Sequence, residues 1–216
     1  MLRVPPGEIL NTLTHGAGAV LSAVGAILLV GISLSTNDPW RIAGCAVFGM
    51  SMLAVYVAST LSHAVADPAG RRFYRILDQG FIYILIVGTY TPFALAFSSL
   101  RTPGWLLFLA IMWAIALAGL ASKLLLVHRI EGIAVWSYLL LGWMPIVPAV
   151  TTLGQVPVEP LWMILIGGLF YTLGTVFLMV DKQRYHFHAI WHLLVITGSG
   201  CHFLAVLWYV ATVPAA

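Results

Sequence analysis

Seven long apolar stretches, separated by short polar breaks, constrain this chain more than any other feature of its sequence. They run about 13–34, 40–62, 76–97, 104–122, 132–153, 160–180 and 188–211. Each is long enough to cross roughly 30 Å of hydrocarbon as a helix. In lipid, backbone polar groups must be satisfied internally, which leaves helices or closed barrels. Barrel strands alternate apolar and polar residues, whereas these runs are continuous. The expectation is an all-α integral membrane protein: one domain over 1–216, built as a seven-transmembrane-helix bundle. Only 8% of the residues are charged, against about a quarter in soluble domains, so there is no room for a separate aqueous domain. The first stretch lacks a clean small-residue cleavage signal and reads as a retained helix.

The breaks carry turn and interface residues: "STNDP", "ADPAGRR", "SSLRTPG", "VHRIEG", "LGQVPVEP" and "DKQRYHF". They also hold the positive charges. With a cytoplasmic N-terminus, Arg3, Arg71, Arg72, Arg75, Lys123, Arg129, Lys182 and Arg184 fall inside, and only Arg41 and Arg101 fall outside. Eight against two is a positive-inside bias. It places the N-terminus in the cytoplasm, the C-terminus outside, and the protein in the cell inner (plasma) membrane. No basic, aromatic-interleaved patch supports nucleic-acid binding. Cys45 and Cys201 lie in apolar spans and read as small buried hydrophobes. Gly18, Ser22 and Ala26 form a small-residue stripe on the first helix, and Gly167 and Gly174 flatten the sixth, so helices can approach closely there. Pro92, Pro145 and Pro148 are expected to kink their helices.

Against this background the polar residues stand out. His15 opens the first helix, His63 closes the second, Asp78 opens the third, and His188 and His192 open the seventh. All fall on the cytoplasmic side. His188 and His192 are i and i+4, so one helix face presents both imidazoles. That spacing suits two ligands of one metal. Ser59 lies one turn before His63. Asp78 is the only carboxylate inside the apolar spans, and its insertion cost of about 2.5–3.5 kcal/mol at mid-membrane calls for compensation. Three imidazoles with an open fourth position make a zinc site, and a carboxylate beside them can hold or deprotonate water. Each residue taken singly has a plainer reading. A histidine at a helix end ordinarily sits at the interface, and Asp78 could simply favour a helix start. Their gathering on one leaflet favours a shared site. His128 falls in a polar loop, and His186 reads as an interfacial or supporting group. His202 lies fourteen residues past His188, about 21 Å along the helix. It cannot share the same metal and suits a helix–helix hydrogen bond.

The same residues carry a resemblance. "EILNTLTH" (Glu8 to His15), "STLSH" (Ser59 to His63) followed by Asp78, and "HAIWHLLV" (His188 to Val195) resemble the hemolysin III family. That family is a bacterial branch of the progestin and adipoQ receptor family, which includes the adiponectin receptors and is related to the alkaline ceramidases. The likeness covers nearly the whole chain. It implies seven helices, a cytoplasmic N-terminus and a zinc ion held by His63, His188 and His192. It also implies that Asp78 contacts the zinc-bound water, with Ser59 as the motif serine.

Metal-dependent hydrolysis of a lipid amide or ester is the expected function, with Asp78 and Ser59 as catalytic residues, Zn2+ as cofactor and a membrane lipid entering laterally. A non-enzymatic, zinc-stabilised sensor is the alternative. A pore-forming haemolysin would need a polar stripe along whole helices, and a transporter would need a second site across the bilayer.

Overall fold

Two Asp-Pro pairs set where helices begin. Asp38 accepts a hydrogen bond from the backbone N–H of Trp40 at 2.9 Å, and Asp67 accepts one from Gly70 at 2.8 Å. In each case proline fills the first helical position, where a missing N–H costs nothing. The computed structural model describes residues 4–125, 131–151, 157–180 and 186–212, and no strand occurs among them. A 3-10 turn, Pro6–Glu8, leads into α1 (Ile9–Leu34). There follow α2 (Pro39–Ala64), α3 (Pro68–Ala96), α4 (Pro103–Leu125), α5 (Glu131–Trp143), α6 (Ile146–Thr151), α7 (Val158–Val180) and α8 (His186–Val206). A π-helical turn, Leu207–Ala211, continues α8. Asn37 closes the turn between α1 and α2 with φ 51°, a left-handed conformation that asparagine tolerates.

Six of these helices are long and apolar enough to cross a membrane. Over its described residues, 132–151, the fifth expected span, 132–153, is instead divided between two shorter helices with 13 and 6 described residues, α5 and α6. Neither alone reaches the ~20 residues a crossing needs. The break falls at Met144 and Pro145. Pro145 and Pro148 both lack a backbone N–H, so the ladder cannot run through. Pro92 also lies inside a helix, yet α3 continues past it to Ala96. A second difference concerns "ADPAGRR". Hydropathy makes it a loop, but it holds the cap and first turns of α3, so Arg71, Arg72 and Arg75 are helical.

The packing is that of a membrane bundle. On α1 the buried face is Asn11, His15, Gly18, Ser22, Gly25, Leu29 and Ser33, whereas Leu13, Val20, Leu21 and Ile27 are exposed. Small and polar residues point inward and large apolar ones outward, the reverse of a soluble helix. A methyl group at Gly18 would lie 2.6 Å from the Tyr56 ring, and one at Gly167 would lie 2.9 Å from the Gly198 carbonyl oxygen. Glycine at these points lets α1 meet α2 and α7 meet α8. Leu29, Phe48, Tyr56, Val195 and Val206 form one core among α1, α2 and α8. Tyr83, Val87, Met112 and Leu141 form a second among α3, α4 and α5. Cys45 and Cys201 are free thiols.

Candidate metal centre

The last turn of α2 and the first turns of α8 end at the same place. His63, His188 and His192 each bring one ring nitrogen there, and these three atoms lie within 4.8 Å of one another. Ring centroids are 5.1 Å apart for His63 and His192, 5.2 Å for His63 and His188, and 4.4 Å for His188 and His192. His63 and His192 are buried and His188 is half-buried. Ligands 2.0–2.1 Å from a tetrahedral ion stand roughly 3.3 Å apart, so small side-chain rotations would close the set.

His63 and His192 are held from behind. A Glu8 carboxylate oxygen (Oε2) accepts a hydrogen bond from His63 Nδ1 at 2.8 Å. Asn11 donates to the same oxygen at 2.8 Å, and the other oxygen of Glu8 pairs with Arg71. Arg71 Nε also donates to the Ser62 carbonyl at 3.2 Å. Burial raises the Glu8 carboxyl pKa. The hydrogen bonds from Asn11 and His63, with the charge of Arg71, outweigh that effect and hold it below the ordinary glutamate range. At His192, Nδ1 meets the Thr14 hydroxyl at 3.2 Å. The Thr14 hydroxyl also lies 3.0 Å from the Leu10 and Asn11 carbonyls of its own helix. A carboxylate oxygen can only accept. His63 therefore carries hydrogen on Nδ1 and, when neutral, keeps a lone pair on Nε2. That tautomer suits ligation through Nε2, and the backing carboxylate fits it.

His15 adds a fourth imidazole beside the triad but outside its ligand spacing. It is 3% exposed, and its ring centroid is 3.8 Å from that of His192. Both of its ring nitrogens are buried with no protein partner. Such atoms are costly, and they fit a polar group held next to the triad. The donor chemistry agrees: imidazoles without thiolate, two of them backed by oxygen, could hold a divalent ion such as zinc.

Ser59 sits one turn before His63 on α2, and Asp78 lies on α3. Both line the same cavity as the triad and His15. The cavity measures about 1140 Å³, larger than the usual 300–1,000 Å³ of a small-molecule pocket. Away from the histidines its walls are mostly apolar, with Phe93, Leu109, Met112 and Leu165 among them and Gln79, Lys123 and Thr172 as polar exceptions. His186 is exposed at the start of α8, apart from the triad. His202 meets the Ile164 carbonyl oxygen at 3.0 Å, a bond from α8 to α7. His128 lies outside the described residues. Sequence reasoning gave Glu8, Asn11, Thr14 and Arg71 no part in the metal centre. The available signal was Glu8, Asn11 and His15 at i, i+3 and i+7, a polar face on an otherwise apolar segment.

This geometry defines an all-helical membrane protein with a three-histidine centre at one end of the bundle. The chain belongs to the Haemolysin-III related family, whose sequence pattern matches residues 5–203. It is 36% identical over 207 residues to "Hemolysin-3 homolog" of Bacillus subtilis, covering 96% of each chain. It is 38% identical over 204 residues to "Hemolysin-3" of Bacillus cereus, covering 94% of this chain and 91% of the relative. Human "Monocyte to macrophage differentiation factor" is 28% identical over 216 residues, at 94% and 84% coverage. The last of these carries the relationship to the progestin and adipoQ receptor family.

Proposed function

We propose that this protein is a zinc-dependent hydrolase of lipid amides or esters, working in membrane-lipid homeostasis from the cell inner membrane. The observation that carries the reading is that ligand-spaced imidazoles and a carboxylate share the polar end of one large apolar cavity. His63, His188 and His192 hold the metal. Bound zinc would polarise the substrate carbonyl and bring the pKa of water to about 7. Asp78 takes a proton from the attacking water and delivers it to the leaving nitrogen or oxygen as the acyl bond breaks. Ser59 keeps the Asp78 carboxylate turned to the site. The apolar walls take the acyl chain, which enters laterally between helices. As a single domain, the chain crosses the membrane seven times, with α5 and α6 together forming one broken crossing. The N-terminus is then cytoplasmic and the C-terminus outside, in accord with the arginine and lysine distribution.

The test is to incubate full-length protein in lipid nanodiscs with N-acyl and O-acyl lipids and to measure released fatty acid by mass spectrometry. Wild type should release it, and zinc chelation should stop release. Absence of product from zinc-loaded protein across both lipid classes would contradict the hydrolase reading. One observation favours a second reading. The triad joins α2 to α8, so the ion could act only as a tie in a membrane sensor. Metal-dependent thermal stability without any lipid product would support that one.

A further inference from the structure

Between residues 8 and 14, two side chains reach two different helices, and each meets Nδ1 of a triad histidine. Glu8 meets His63 on α2 at 2.8 Å, and Thr14 meets His192 on α8 at 3.2 Å. Neither contact is incidental to an otherwise free side chain. Glu8 is fixed by Asn11 and Arg71, and Thr14 is fixed to the carbonyls of its own helix.

We propose that this N-terminal segment is a positioning clasp for the metal centre. Glu8 and Thr14 lock the tautomer and ring orientation of His63 and His192, and so set the metal affinity. The proposal rests on the reading of the triad as a metal site. The two residues are positioning groups, because each meets Nδ1 of a ligand and so leaves the other ring nitrogen as the one to face the ion. The physical basis is twofold. A carboxylate behind an imidazole makes it a more basic ligand, and fixed rings need less ordering when the ion binds. Arg71 makes a half-buried carboxylate tolerable at that place.

The test is the zinc dissociation constant of detergent-purified full-length protein, measured by chelator competition, with circular dichroism to establish folding. Glu8→Gln keeps the size of the side chain but removes the charge, and should weaken zinc binding roughly 10–100-fold. Thr14→Val should weaken it in the same direction, and Thr14→Ser should restore it. In a His63→Ala background, Glu8→Gln should have no further effect, whereas a merely structural role would persist there. If Glu8→Gln does not fold, the Thr14 pair tests the claim at His192. Tight zinc binding by wild type with unchanged binding by folded Glu8→Gln would overturn the clasp alone. A folded wild type that binds no zinc would overturn both the clasp and the metal reading beneath it.

Discussion

At the scale of single residues, the account separates holding a metal from using it. Asp78 lines the cavity beside the triad but lies outside its ligand spacing. Asp78→Ala should therefore keep zinc and lose about 10²–10⁴ in turnover, the usual contribution of a positioned acid–base group. Retained hydrolysis in that variant would sink the proton-transfer role. The sequence already displayed much of this centre. The i, i+4 spacing of His188 and His192 is a property of any helix, so the pair was legible without a fold. The joining of His63 to that pair depends on how α2 and α8 end side by side, which spacing along the chain does not encode. Glu8 was less legible still. Its partners His63 and Arg71 lie on α2 and α3, so its role exists only once three elements meet. His15 was placed on the correct side of the bundle, but nothing in the sequence separates a ring packed on His192 from a ring ligating the same ion.

At the scale of elements, close helix contact depends on absent side chains. Gly18→Ala would drive a methyl into the Tyr56 ring, and overpacking of that kind costs about 1–3 kcal/mol. A lowered thermal midpoint in detergent should report it, and an unchanged one would show that Tyr56 can move aside freely. Tyr56 also donates to Ser199 on α8 at 2.8 Å. Tyr56→Phe should cost about 1 kcal/mol, the scale of a hydrogen bond between membrane helices. Hydropathy located the apolar runs because burial in lipid averages over many residues. It placed the start of α3 too late because the capping chemistry of Asp67 and Pro68 is polar and local. It also fused α5 with α6, because a window that averages hydrophobicity does not register two missing N–H groups.

At the scale of the whole molecule, the histidine centre lies where helices distant in sequence converge, so metal and architecture are coupled. Zinc at about 100 times its dissociation constant should add ~2.7 kcal/mol to stability, provided that the unfolded chain does not bind it. The topology has its own test. In a background of Cys45→Ala and Cys201→Ala, a membrane-impermeant thiol reagent should label Ala216→Cys from outside intact cells and Arg3→Cys only after lysis. Labelling of both from the same side would mean an even number of crossings. The central claim is more direct than either, and it is that His63, His188 and His192 hold a metal ion. Elemental analysis of purified wild type beside His192→Ala tests it. The account predicts about one zinc per wild-type chain, as a single three-histidine site requires, and loss of that zinc in the variant. A well-folded wild type that takes up no metal even when zinc is supplied would contradict it.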